Sequence, residues 1–265
     1  MSYISDKDSA PLSLFGVNGG NTSTDASLST LVGAKFNTND GREFVLVQNG
    51  GTALVSGVMV QSPASIGANH TGLAVVGLAA NNPIGSTSIT VTLGATLVTA
   101  NQYAGGYAVV SAGTGIGQTL KIASHPAAAL SANVVLTLED PLSVAITSTD
   151  SKISLTLPQY GSQNGTDVTT SGVIVCPTTL TGRPIGVTVY PIPASTTTVP
   201  TYGFIQTSGA VACLNGAGTA IGLDVMPGGS VAGSVVTYVA ATSSRVGTAT
   251  VAGENTKAQL INLQL

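Results

Sequence analysis

The chain has 265 residues, of which only 7% are charged, with 8 Lys and Arg against 11 Asp and Glu for a formal net charge of −3; an average soluble protein carries about 25%. So few cations leave no basic stripe that could neutralise a run of phosphates, which excludes nucleic acid as an expected partner. The length allows one large or two ordinary domains whose cores need neither disulfides nor metals as staples.

A surface this poor in charge is either solvated by Ser, Thr and Asn or covered by other subunits, as in obligate assemblies whose interfaces are depleted in charge. The second is favoured, which predicts a homo-oligomer. Residues 1–16 carry Asp6, Lys7 and Asp8 and hold no apolar stretch of signal-peptide length, so synthesis in the cytoplasm without a signal peptide is expected. The longest apolar blocks, such as residues 73–80, fall far short of the roughly 20 residues of a membrane-spanning helix, and no membrane partner is expected.

Residues 1–40 are polar and rich in Gly, Asn and Ser, with one apolar cluster at Leu12, Leu14 and Phe15. They read as an extended N-terminal arm that cannot pack a core alone and either stays mobile or orders against a neighbour. Within it, residues 25–34 predict a turn or two of helix with Leu28, Leu31 and Val32 on one face and Asp25 near the cap. Residues 43–61 predict a β-hairpin, because Asn49-Gly50-Gly51 interrupts two Val-rich runs and Asn-Gly supplies the positive φ angles of a tight turn. Residues 62–83 are ambiguous between loop, strand and short helix. Residues 89–93 alternate Thr with apolar side chains as a half-buried strand does. Strands are then predicted at 107–111, 119–123, 134–138, 142–146 and 153–157, each near the usual five residues, with turns at 113–117, 125–129, 140–141 and 149–150.

Residues 160–172 lack apolar periodicity and are the predicted linker. Beyond it, 173–175 and 185–190 read as strands, and Pro191, Pro193 and Pro200 hold an extended loop. Residues 201–214, dense in aromatic and β-branched side chains, predict two short strands broken by a turn or bulge at Ser208-Gly209. Apolar runs at 231–239, 246–251 and 258–265 complete a small antiparallel barrel or sandwich. The fold class expected is therefore all-β: an arm over 1–40, a β domain over 41–160 and a C-terminal β-barrel domain over 161–265.

Residues that could carry chemistry are few. Cys176 and Cys213 have no Cys-x-x-Cys spacing and read as small buried hydrophobes, the alternative being a disulfide formed after release from the cell. His70 and His125 fall in loop-like stretches with no orienting carboxylate placed nearby, so both are expected to be surface loop residues. Glu139 and Asp140 are adjacent on a strand end and point to opposite faces, a poor acid/base pair and a poor calcium site. Residues 113–121 are Gly-rich and end in Lys121, but no Gly-Lys-Ser/Thr closes them and no helix follows, so a hairpin loop is expected instead of a phosphate cradle. The sequons at Asn21, Asn69 and Asn164 are of the number chance gives, and Arg42, Arg183 and Arg245 read as cations that tie loops down. No catalytic, cofactor-binding or metal-binding residue is predicted, and no enzyme activity.

Two stretches carry a resemblance. Gly115-Ile-Gly-Gln-Thr-Leu-Lys-Ile-Ala123 followed by Leu136-Thr-Leu-Glu-Asp-Pro-Leu-Ser-Val-Ala-Ile146 resembles virion structural proteins of tailed bacteriophages. Arg183-Pro-Ile-Gly-Val-Thr-Val189, then Tyr202-Gly-Phe-Ile-Gln-Thr-Ser-Gly-Ala210, then Val246-Gly-Thr-Ala249 and an apolar last strand, is similar to the β-barrel of phage capsid decoration (cement) proteins. The chain departs from that pattern in having Phe204 where the family has Trp, and in its longer N-terminal half, which leaves a tail or head-fibre role open. The resemblance implies a protein of the capsid exterior, often trimeric at threefold positions, that binds the major capsid protein and holds capsomers together. It also implies contact with the capsid or a neighbouring copy through Leu12, Leu14 and Phe15. The alternative reading is a fibre or adhesin that binds a host surface glycan, for which a chain with no Trp and 4% aromatics is poorly equipped to stack sugars.

Overall fold

The computed structural model describes residues 22–76, 81–162, 168–239 and 244–265. Nearly all of its regular structure is strand: β1 (Lys35–Asn37), β2 (Glu43–Gln48), β3 (Met59–Gln61), β4 (Leu73–Val76), β5 (Asn81–Asn82), β6 (Ser88–Thr92), β7 (Tyr107–Ala112), β8 (Thr119–Ser124), β9 (Asn133–Leu138), β10 (Ile146–Thr147), β11 (Lys152–Thr156), β12 (Ile174–Val175), β13 (Pro184–Thr188), β14 (Tyr202–Leu214), β15 (Asp224–Pro227), β16 (Val235–Thr237), β17 (Gly247–Ala249) and β18 (Ala258–Gln264). The chain is all-β, as composition and periodicity predict.

Two compact units divide it, and their boundaries differ from the expected 41–160 and 161–265. One unit takes residues 22–64, 159–161 and 172 onward; the other takes residues 65–158 and 162–171. The first three strands thus belong with the last seven, and the barrel described next is inserted between them. Pairing explains the difference: β2 lies beside β14 and β3 beside β13, contacts whose sequence separation no local pattern reveals.

The inserted unit is a closed antiparallel barrel with strand order β11-β4-β6-β9-β8-β7. Strands β7, β8 and β9 follow one another by hairpin connections and β11 returns to lie beside β7, which is a Greek key. Alternation builds it: in β9, Val134, Leu136 and Leu138 point inward while Asn133, Val135 and Thr137 face out. The interior is filled by Leu73, Val75, Ile89, Val91, Ala108, Val110, Leu120, Ile122, Leu136, Leu142 and Ile153, as a small barrel requires. The predicted strand at 142–146 is not one. Leu142 instead drops into the core, Gln118 binds the Ser143 and Val144 backbones, and only Ile146 and Thr147 pair, with Asn82 and Asn81. In the ambiguous stretch 62–83 the described residues include a 3-10 turn at Gly67–His70 and strands β4 and β5.

The other unit is organised by β14, a single strand of 13 residues where two were expected. Its first half pairs with β2, from Tyr202↔Gln48 to Gln206↔Phe44, and with β13 at Ile205 and Gln206. Its second half pairs with β18, from Ser208↔Gln264 to Leu214↔Ala258. The register shifts between Gln206 and Ser208, so Thr207 is the extra residue of a bulge, and Gly209 just beyond it takes φ 87; the irregularity interrupts the ladder without ending the strand. The first half is buried on both faces, Tyr202 and Phe204 against Leu28, Phe44 and Leu46, and Ile205 against Val47, Leu54, Val60 and Ile185. The second half sends only Val211 and Cys213 inward, against Met59, Cys176, Val225, Val246, Ile261 and Leu263.

Three further expectations change. Residues 43–61 form no hairpin: β2 pairs with β1 and β14, and β3 with β12 and β13. Neither Asn49 nor Gly50 takes a positive φ. Asn49 is spent on tertiary bonds, its Nδ2 donating to the carbonyls of Thr52, Ile192 and Pro193 at 3.0, 3.2 and 2.8 Å. The described part of the expected arm joins the sheet through β1, while the short helix predicted within it is present, Ala26–Leu31 forming a 3-10 helix capped by the Asp25 carboxylate and burying Leu28. The predicted linker is also tied down, with Tyr160 O accepting from the Gln48 amide at 3.0 Å and Ser162 N–H reaching Ser171 O at 3.1 Å. A four-residue helix, α1 (Val168–Ser171), lies within the stretch.

Candidate functional site

The predicted contact residues Leu12, Leu14 and Phe15 lie outside the described residues, as do the sequons at Asn21 and Asn164. The two histidines are not on the surface. His70 is 1% and His125 4% exposed, and the barrel brings both against Tyr103, with ring centroids 5.5 and 6.0 Å from the phenol. The Tyr103 hydroxyl meets His70 Nδ1 at 2.5 Å and the His70 Nε2 faces the Thr96 carbonyl at 3.0 Å. The Tyr103 amide donates to His125 Nε2 at 2.9 Å, and His125 Nδ1 faces the Pro126 carbonyl at 2.9 Å. Burial holds both imidazoles below their ordinary range, the His70 charge adding to the effect at His125, and pushes the Tyr103 hydroxyl well up. All four ring nitrogens are engaged within the protein, so the trio ties the loops of the barrel to one another. The sequence missed it because residues 70, 103 and 125 meet only when the barrel closes.

Several of the other polar candidates are bonded within the protein. Glu139 pairs with Lys121 at 2.9 Å. In the Gly-rich loop, Gly113, Gly115 and Gly117 take φ 76, 82 and 92, making the expected hairpin. Asp150 accepts from the Thr114 amide at 3.1 Å and the Thr114 hydroxyl at 2.9 Å. A carboxylate therefore sits where an anion would have to bind, and its bonds to Thr147 and Thr114 hold it below the usual carboxylate range. Arg42 binds Asp40 at 2.8 Å and lies 5.5 Å over Phe44, while Arg245 reaches Asp224 at 3.0 Å and Thr248 and Gln264 at 3.1 Å; both tie loops down. Asn69 binds Ala95 and Thr96 through its side chain. Cys176 and Cys213 are free and buried in one core. Among the described residues no three His, Cys, Asp or Glu gather to hold a metal, and no helix is long and apolar enough to cross a membrane.

What the surface does offer is exposed aliphatic side chains at one end of the barrel. Ile84, Ile116 and Val144 are 69, 67 and 48% exposed and come from three alternate connections of the antiparallel barrel, β4 to β6, β7 to β8 and β9 to β11. These loops are braced to one another. Gly85 N–H donates to Leu142 O at 2.9 Å and Leu142 N–H to Ser86 O at 2.9 Å. Gln118 Oε1 accepts from the Ser143 and Val144 amides at 3.2 and 3.0 Å, while its Nε2 donates to Val144 O at 2.9 Å. Grouped exposed aliphatics on a rigid frame are the pattern of an interaction surface. No protein-family model, curated protein or solved structure matches the chain.

Proposed function

We propose that this chain is a structural virion protein of a tailed bacteriophage that binds the capsid exterior as a homo-oligomer and strengthens contacts between capsomers. The observation that carries the reading is the exposed aliphatic trio on braced loops in a chain with 7% charged residues. Such a surface adheres by packing and neutral hydrogen bonds, which salt screens little, and many copies on one shell turn weak contacts into strong retention. The resemblance of residues 105–157 and 183–265 to phage virion proteins supports the same reading, as does the engagement of the candidate catalytic side chains in internal bonds.

The test is to mix the purified chain with capsids of the cognate phage assembled without it and image them by cryo-electron microscopy. Ordered density on the capsid surface is expected; density confined to the tail or fibres would move the protein to the adhesin reading. Ile84→Ser and Ile116→Ser together are expected to weaken retention on capsids at least tenfold while shifting stability by no more than about 0.5 kcal/mol, as exposed substitutions do. Unchanged retention would remove this surface from the proposal. Truncation to residue 22 keeps β1 and the 3-10 helix, so it isolates the contribution of Leu12, Leu14 and Phe15, whose loss is expected to lower retention further.

A further inference from the structure

We propose that His70, Tyr103 and His125 form an acid-sensitive latch that holds the loops at one end of the barrel together at neutral pH and releases them on protonation. The idea does not rest on the capsid reading. The three side chains come from three different connections: residues 65–72 before β4, residues 93–106 between β6 and β7, and residues 125–132 between β8 and β9. In an antiparallel barrel of this order all three connections lie at the same end, and the trio is their meeting point. Tyr103, 1% exposed, is among the largest fully buried side chains of the chain.

The hydrogen bonds require a neutral His125 and are best satisfied by a neutral His70. A carbonyl can only accept, so the His70 Nε2 facing Thr96 O and the His125 Nδ1 facing Pro126 O carry the ring protons. A backbone amide can only donate, so His125 Nε2, which receives the Tyr103 N–H, carries none. His70 Nδ1 then accepts from the Tyr103 hydroxyl. Protonating His125 sets two N–H groups against each other at 2.9 Å and breaks the bond between its loop and the Tyr103 backbone. Protonating His70 turns the Tyr103 hydroxyl from donor to acceptor and leaves its own proton buried without a partner, which is costly in an apolar core. Protonating His125 thus cuts the tie between its loop and the next, while protonating His70 keeps its tie at the cost of an unpaired hydroxyl proton.

Among the described residues of the segments around the trio, no charged side chain offsets the new charges. Residues 65–72, 94–106, 125–132 and 168–171 contain no Asp, Glu, Lys or Arg, and the only groups there that titrate are the trio itself. Lys121 lies on the outward side of β8, between inward-facing Leu120 and Ile122, and is paired with Glu139. Asp140 and Asp150 belong to the connection at the other end of the barrel, Lys152 begins β11 at that end, and Asp167 lies outside the described residues. Burial lowers both histidines from the ordinary 6.5, and the sign follows. The opened chain takes up protons first as pH falls through about 6.5, so the closed form is fully favoured above that value and is lost below it. Two histidines that stay neutral when closed shift the closed-to-open ratio by up to about a hundredfold per pH unit, tenfold for each.

The experiment is hydrogen exchange of the full chain between pH 7.5 and 4.5, corrected for intrinsic rates, with the imidazole nitrogens followed by NMR. Expected are Nε2–H for His70 and Nδ1–H for His125 at pH 7.5. Below pH 6.5 the amides of Tyr103, His125 and Val98 should lose protection at least tenfold per pH unit while those of β14 and β18 keep theirs. His70→Asn with His125→Gln, which can accept the same two bonds without titrating, should remove that pH dependence. Should the double variant fail to fold, Tyr103→Phe severs only the hydroxyl bond to His70 and should move the acid onset. Protection flat to pH 4.5, loss spread evenly over both units, or imidazoles in the opposite tautomers would each overturn the latch.

Discussion

Gln259 points into the core from β18, opposite Cys213 and 3% exposed, with neither its Nε2 nor its Oε1 hydrogen-bonded. A buried amide without partners gives up its hydration for nothing, so Gln259→Met, similar in shape and apolar, is expected to raise stability by about 1 kcal/mol in urea denaturation; a fall would show that the amide has a partner. The cysteines beside it behave in the opposite sense. Burial pushes the Cys213 thiol up to about 12 and the Cys176 thiol higher still, and only a thiolate reacts quickly. Both should therefore resist a thiol reagent in the native chain at pH 8 and react together once denaturant is added, whereas fast labelling of either would contradict their burial. Their free, buried state is what the sequence suggested. The burial of His70 and His125 was illegible, because a histidine beside Pro126 or Asn69 looks like any loop residue until Tyr103 is folded between the two.

Strand β14 shows how far local pattern reaches at the scale of an element. The aromatic and β-branched run was legible as strand, and Ser208-Gly209 as an irregularity, but not that pairing continues across it. Continuity depends on Glu43 and Gln264, which both lie opposite Ser208. A Cβ at Gly209 would meet the Arg42 Cα and Cγ at 3.1 Å from a backbone with φ 87. Gly209→Val is accordingly expected to cost ~2 kcal/mol or more, read as a lower midpoint in thermal or urea unfolding. A neutral result would mean that the bulge can relax. Asn49-Gly50 is the converse case. Its dipeptide favours a hairpin turn, yet the bonds from Asn49 to residues 192 and 193 and the β2–β14 ladder outweigh it.

For the whole molecule, the inserted barrel is the main architectural fact. The strands nearest its two ends in sequence, β4 and β11, pair through Ala74↔Lys152 and Leu73↔Ile153, so the chain enters and leaves at neighbouring points, and the barrel has its own closed core. A fragment of residues 65–171 is expected to fold alone, with a cooperative thermal transition and dispersed amide NMR signals; a disordered fragment would show that the barrel depends on the rest of the chain.

By itself the sequence determined the chemistry of the scaffold. Alternating Val, Ile, Leu and Thr with frequent Gly dictated short antiparallel strands, because side chains on a strand alternate faces. The scarcity of charge dictated a surface with few ion pairs. Only the tertiary structure decided which strands pair, that β2 and β3 belong with residues 172–265, and that two histidines share one tyrosine. Those outcomes depend on contacts between residues tens to more than a hundred positions apart, set by closing a barrel and filling its core, and local propensity carries no record of them.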